Sequence, residues 1–261
     1  MASFTGSSIK NVYKDILHTS NSNTGIGSSI KQITCGDGDT TALHLSDRNA
    51  KVQPSTDTTT NTVIYDADGN ALLTVDSTND LVKAGVGQHT VNTQYAHFGI
   101  GNDTINLLAN NHYALPFSNS MGYMGTPATI GTGTDPDTSL TISNKAYSKV
   151  QGYWYVMDNI TIDRVVWWAG ADAASGDTSR CHLMSYDVDS GNGNTSGDLS
   201  SGVVLADGAD ITNAGYEQIY YQQMTVQSAN VDAGKVILFT FRSDSVSSDY
   251  TINATVKYHL R

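Results

Sequence analysis

Glutamate is almost missing from this 261-residue chain: Glu217 is the only one among its 25 acidic residues, and lysine and arginine together number 14. Helical bundles and coiled coils draw heavily on Glu and Lys, so this scarcity argues against them. The abundance of Thr, Ser, Asn, Asp and Gly favours strands joined by many turns. Cysteine is scarce too. Cys35 and Cys181 cannot staple a chain of this size, and their wide separation predicts two free thiols. No run approaches the roughly 18 consecutive apolar residues of a membrane helix, and the opening MASFTGSSIKNVYKDILH lacks the apolar core of a signal peptide. The expectation is assembly in a cytoplasm without membrane insertion. The formal net charge of -11 leaves no basic face to displace counterions from phosphates, which argues against nucleic acid as a partner.

Local catalytic motifs are also lacking. There is no G-x-S-x-G turn, no H-E-x-x-H, no Walker A loop and no G-x-G-x-x-G. A glycosidase carboxylate pair would have to be built from aspartates, which serve far more often as turn and cap residues. The seven histidines sit singly, and His182 and His259 fall inside expected strands, as sheet residues rather than ligands. The chain therefore reads as a non-enzyme with no cofactor.

What is present begins with one helical signal. Ile9, Val12, Tyr13, Ile16 and Leu17 follow the i, i+3, i+4, i+7, i+8 spacing, with Lys10, Asn11, Lys14 and Asp15 on the other face. This predicts a short amphipathic helix over residues 8–17, too short to stand alone, whose stripe must be buried on its own module, on identical chains or on a larger scaffold. Beyond it, short apolar pieces are broken by turns. Residues 63–66 and 71–75 around Asp68-Gly69 predict a β-hairpin, because Asp-Gly accepts the positive φ angles of a tight turn. Such small strands have too little apolar surface for an independent core, which points to pairing between chains. The stretch AGVGQHTVNTQ at 84–94 marks a module boundary, giving modules 1–94 and 95–261.

The second module carries stronger β patterning. In residues 251–260, Ile252, Ala254, Val256, Tyr258 and Leu260 alternate with polar residues, as in a strand with one buried and one wet face. Residues 235–242 (KVILFTFR) place Ile237, Phe239 and Phe241 on one face and are apolar enough to lie centrally in a sheet. Further strands are expected at 153–157, 161–169, 180–188, 202–205 and 217–226. Strands of this length separated by Gly, Asn and Asp clusters imply an all-β, two-sheet antiparallel sandwich, most plausibly a jelly roll. Residues 116–137, with three of the four prolines, are expected to form a long surface loop.

Two segments have ligand-like residues. In Asp187-Val-Asp189-Ser-Gly-Asn-Gly-Asn-Thr-Ser-Gly-Asp198, acids occupy positions one, three and twelve of a calcium loop. Gly191 and Asn192, however, stand where a ligand and the turn glycine belong, and Asp198 is shorter than the bidentate Glu. A polar inter-strand turn is the preferred reading, with Asp187, Asp189 and Asp198 kept as weak metal candidates. Tyr153-Trp154-Tyr155 and Trp167-Trp168 could stack on sugars. In alternating strands one member of each pair faces inward, and sandwich core is the preferred explanation.

The runs IKNVYKDILHTSNSNTGI, CGDGDTTALHLSDRNAKV and VIYDADGNALLTVDSTNDLVKAG resemble segments of fibre and appendage proteins of tailed bacteriophages, especially those of marine bacteria and cyanobacteria. VMDNITIDRVVWWAG, HLMSYDVDSGNG and VDAGKVILFTFRSD are similar to jelly-roll heads of the same class of virion protein. The resemblance implies a homotrimer with an intertwined base, assembled in the host cytoplasm and displayed on the virion surface. Ile9, Val12, Tyr13, Ile16 and Leu17 would then serve virion attachment or trimerisation, with capsid or tail proteins as partners. The lack of a long repetitive shaft favours a short fibre, head fibre or capsid decoration protein. The alternatives are an adhesin recognising host surface glycan and, less favoured, a polysaccharide depolymerase.

Overall fold

The chain divides into two compact units, Met1–Val91 and Asn92–Arg261. The computed structural model describes residues 16–19, 24–101, 108–118, 128–141, 149–171, 175–215, 218–245 and 250–261. Among these the structure is all-β and antiparallel, with one 3-10 turn at Val150–Gly152. Ile9, Val12 and Tyr13 of the expected helix lie outside the described residues. Ile16 and Leu17 are described and are not helical, because the ladder that starts at His18, opposite Thr34, claims the backbone just beyond them.

The first unit holds two four-stranded meanders. One pairs β1 (His18–Thr19), β2 (Lys31–Thr34), β3 (Thr40–Leu45) and β4 (Ala50–Val52) in that order. The other pairs β5 (Thr62–Tyr65), β6 (Ala71–Asp76), β7 (Leu81–Ala84) and β8 (His89–Thr90). The hairpin between β5 and β6 turns where the sequence predicts. Gly69 takes a φ of 84°, and Asp66 Oδ1 accepts the backbone N–H groups of Asp68 and Asn70 at 3.0 and 2.8 Å. At the far end of β6, Asp76 accepts from Asn79 and ion-pairs with Lys83 at 2.9 Å, and these two partners lower its carboxyl pKa to about 2. These devices fix the turns but enclose little. Ile33 is the one buried hydrophobic residue of this unit among the described residues.

The second unit is a sandwich. One sheet runs β10 (Tyr113–Ala114), β19 (Lys235–Ser243), β13 (Thr178–Val188), β14 (Leu199–Asp207) and β17 (Thr225–Val226). β11 (Trp154–Tyr155) joins it on β19, and β15 (Ile211–Thr212) joins on β13. The other sheet runs β16 (Gln218–Gln223), β12 (Ile160–Ala171), β20 (Tyr250–Leu260) and β9 (Thr93–Gly101), with β18 (Asn230–Val231) on β12. Inward side chains from both sheets, among them Phe98, Val165, Trp167, Leu183, Leu205, Phe239 and Phe241, form a single core.

Five expectations are corrected in detail. β9 starts at Thr93, so the second unit begins before residue 95. The strand expected over 153–157 is only Trp154–Tyr155, and the one over 202–205 extends to Leu199–Asp207. The strand expected over 217–226 is cut at buried Met224, where the chain leaves β12 and crosses to β14. The fifth concerns residues 116–137, whose described part is no free surface loop. Ala128 is buried, and Ile130 lies on the outer face of the β19 sheet in a second core with Ala114, Met184, Tyr186, Leu199, Val236 and Leu238.

Backbone hydrogen bonds hold residues 128–141 down as a strap: Ile130 N–H to the His112 carbonyl at 2.7 Å, and Leu140 reciprocally with Leu199 at 2.8 Å. Gly202 lets the strap approach, since a Cβ there would stand 2.6 Å from the Tyr186 ring and 2.8 Å from Thr138 Cα.

Phe239 is fully buried and stacks on Phe98 from the facing sheet with centroids 5.9 Å apart. Phe239→Ala is expected to cost about 3 to 5 kcal/mol, whereas Thr255→Ala on the wet face costs about 0.5 kcal/mol or less. Urea denaturation of the two variants tests the assignment of strand faces, which equal midpoints would overturn.

Candidate functional site

The outer face of the β16-β12-β20-β9 sheet carries the most exposed chemistry of the second unit. Its residues reach it through strand alternation, interrupted by a β-bulge in β12 between Ile162 and Arg164. Trp167 points inward, fully buried, and its Nε1–H donates to Gln222 Oε1 at 3.1 Å. Trp168 therefore points outward and is 49% exposed. The register sets Trp168 between Tyr221 on β16 and Asn253 on β20. The Trp168 and Tyr221 rings lie 4.8 Å apart at 52°, and Arg164 Nη2–H donates to the Tyr221 hydroxyl at 3.1 Å. A continuous strip of indole, phenol and guanidinium results.

Arg164 stands directly opposite Lys257, and Lys257 opposite exposed Tyr95. Neither cation makes an ion pair with a carboxylate among the described residues, although carboxylates at other places do, as in Arg261 with Asp232 and His259 with Asp163. The face as a whole offers aromatic surface, two adjacent positive charges and the amide and hydroxyl edges of Asn253 and Thr251.

A second feature is a cleft of about 200 Å³ lined by Trp154, Tyr155, Met157, Asp158, Tyr258 and Leu260 among others. Trp154 forms its floor, stacked on Phe117 at 5.9 Å and 4.9 Å from Tyr258, while Met157 is exposed at its rim.

A third feature is buried and polar. His112 and His182 lie edge to face beneath the strap, with centroids 5.1 Å apart. His182 Nε2 is 3.2 Å from Asp135 Oδ1 and 3.3 Å from Asp207 Oδ1, yet neither ring nitrogen makes a well-directed hydrogen bond. Asp207 is already engaged through both oxygens by Arg180. His112 Nε2–H donates to the Gly133 carbonyl at 3.0 Å while Nδ1 stays buried without a partner. Burial lowers both pKa values, that of His112 to about 4.

The residues singled out in the sequence are not brought together. Ile16 is half-buried and Leu17 exposed in the first unit, in coil just before β1. The 187–198 segment is the end of β13 and the turn to β14, and the carboxylates of Asp187 and Asp189 are committed to neighbours. Asp187 pairs with Lys235, while Asp189 accepts from the Gly191 N–H at 2.9 Å and from the Thr195 hydroxyl. Among the described residues no cluster of three His, Cys, Asp or Glu side chains has metal-holding geometry, and no helix is long and apolar enough to cross a membrane. Of the aromatic pairs, Trp154 and Trp167 are buried and Tyr155 and Trp168 face water, as alternation requires. Tyr221, Arg164, Lys257 and His112 were missed. Their outward or inward parity was readable, but which strands lie beside one another was not.

No family model matches the chain, and no curated protein matches it. Among solved structures, the CBM22-1–GH10 modules of Clostridium thermocellum N-terminal endo-1,4-beta-D-xylanase 10B, complexed with xylohexaose, align over 63% of this chain at 15% identity, with a TM-score of 0.22. The alignment spans 28% of that chain, and a likeness this slight carries no functional argument.

The histidine pair generates a pH dependence. The unfolded chain takes up a proton at His112 near 6.5, and the folded chain only near 4. Stability is therefore fully present above about 6.5 and is lost as pH falls from there toward 4, with His182 adding in the same direction. Urea midpoints across that range should fall in the parent and fall less in His112→Gln. A parent midpoint that stays constant would contradict the buried, neutral assignment.

Proposed function

We propose that this chain is a structural, non-enzymatic component of a tailed-bacteriophage virion. In this reading it is a homotrimeric surface appendage whose N-terminal unit assembles with its copies and with capsid or tail proteins and whose C-terminal sandwich is displayed outward. The observation that carries this reading is the contrast in burial between the two units. The second encloses a core, whereas the first leaves its apolar residues half-buried or exposed, with Ile33 alone buried among the described residues.

In the β5–β8 sheet the cross-strand partners Ile64 with Leu73 and Val75 with Val82 line up on one face, and Ile64 and Val82 are exposed. Val52, Tyr65, Val86 and Val91 are exposed as well. Fully burying one such side chain contributes about 1.5 to 3 kcal/mol, so several per chain supply a strong drive to association. The threefold state and the viral setting rest on the resemblance of the N-terminal runs, not on this burial argument.

The jelly-roll reading of the displayed unit is supported by strand order. Taken in chain order, β9, β10, β12, β13, β14, β16, β19 and β20 distribute as β16-β12-β20-β9 against β10-β19-β13-β14, the arrangement of two interlocked Greek keys. Such heads occur in viral capsid and lectin domains alike, so the fold suits display and does not by itself assign binding.

Light scattering of the purified chain should give three times the 27.8 kDa protomer mass, and a stable monomer at micromolar concentration would overturn the proposal. Val82→Asp should dissociate the assembly while the C-terminal unit keeps its own unfolding transition. An undiminished assembly with Asp at this position would remove the β5–β8 face from the interface.

A further inference from the structure

We infer that the outer face of the β16-β12-β20-β9 sheet is a binding surface for an acidic saccharide, with sugar rings lying on Trp168 and Tyr221 and a carboxylate held by Arg164 and Lys257. The inference concerns the C-terminal unit alone. It goes beyond the structural role proposed above and does not depend on how the chain assembles.

The first support is electrostatic. Like charges directly opposite on neighbouring strands destabilise a sheet, and Arg164 and Lys257 are such a pair in the ladder of β12 with β20. The chain has a net charge of -11, so carboxylates are plentiful, yet none within the described residues neutralises either cation. Asp163, next in sequence to Arg164, is turned to His259 at 2.8 Å instead. An unneutralised cation pair on an acidic protein is complementary to a small anionic group arriving from outside. Arg supplies a planar fork for a carboxylate and Lys a point charge beside it.

The second support is the aromatic surface joined to that pair. Trp168 and Tyr221 are each about half exposed, at 49% and 47%, and the Arg164 guanidinium sits on the Tyr221 hydroxyl. Tyr95, opposite Lys257, closes the far side of the cation pair. A ligand held here must present an apolar face to the rings, hydrogen-bonding edges to Asn253 and Thr251, and an anion within reach of Arg164. Thr251 and Lys257 stand six residues apart on β20, so a short run of pyranose rings bearing carboxylates, rather than one ring, presents all three.

Rival occupants fit less well. A dry protein interface would ask for a larger apolar patch than isolated aromatics among amides and hydroxyls. A nucleic acid would require many more cations to offset repulsion by the rest of the chain.

The test titrates the full-length chain, followed by tryptophan fluorescence and calorimetry, with hexasaccharides of alginate, polygalacturonate and hyaluronan. Neutral cellohexaose and maltohexaose, a hexaglutamate peptide and a hexanucleotide serve as comparisons. At least one acidic oligosaccharide should bind with micromolar to millimolar affinity, weakening as salt is raised. Trp168→Ala should reduce that affinity by about tenfold or more, about 1.4 kcal/mol. Arg164→Gln and Lys257→Gln should each weaken it severalfold, while Lys51→Gln in the N-terminal unit leaves it unchanged. Trp168→Phe, which keeps an aromatic ring, should retain most of the binding and guards against misfolding of the alanine variant.

The inference is overturned if no acidic oligosaccharide binds at millimolar concentration, or if the neutral hexaoses bind equally. It is also overturned if folded Trp168→Ala binds like the parent, or if the peptide or nucleotide binds through the same residues more tightly than any saccharide. Light scattering on the same sample keeps the two readings separate. A monomer that binds removes only the assembly, and a trimer that does not bind removes only the saccharide site.

Discussion

Burial of β19 on both faces is the constraint from which the rest of the C-terminal unit follows. Ile237, Phe239 and Phe241 fill the space between the two sheets, and Val236 and Leu238 face the other way into the second core. A strand of this kind cannot tolerate water on either side, so its outer face must be roofed. The strap of residues 128–141 does that, with Ile130 inserted and Gly202 left bare to admit it. The buried histidines follow from the same roof. His112 and His182 lie under the strap, and the desolvation that keeps them neutral is a consequence of covering this sheet.

The opposite sheet has no such roof among the described residues. In β20, Ile252, Ala254 and Val256 are buried while Thr251 and Asn253 are exposed, so one side of the sandwich stays wet. The unit thus has a sealed face, whose titratable groups are buried for structural reasons, and an open face, whose aromatic and cationic groups contribute little to folding. Trp167 and Trp168 mark the division within a single dipeptide. One is locked in the core by its hydrogen bond to Gln222, and the other meets Tyr221 in solvent. Side chains that the fold does not need are the ones free to serve a partner.

The N-terminal unit obeys a different balance. Its turns are well specified, with Asp66 binding the backbone of its own loop and Asp76 held by Asn79 and Lys83. Its sheets nonetheless expose Ile64, Val82 and Val91. Local turn chemistry sets strand register without supplying a core.

The sequence by itself determined the all-β class, the turn at Asp68-Gly69, the inward parity of Ile252, Ala254 and Val256 in β20, and the central place of the KVILFTFR run in its sheet. Each of these is a local property: propensity, φ preference, or alternation with a period of two. It also contained the outward parity of one residue in each aromatic pair. Only the tertiary structure decided that Tyr221 lies beside Trp168, that Arg164 faces Lys257, that the proline-containing loop is a buried strap, and that the strand expected over 217–226 changes sheets at Met224. These depend on which strands pair across long stretches of chain, and alternation within a strand is blind to its neighbour. The helical spacing of Ile9, Val12, Tyr13, Ile16 and Leu17 shows the same limit. Periodicity proposed a helix through Leu17, and pairing of His18 with Thr34 on another strand decided the backbone that follows.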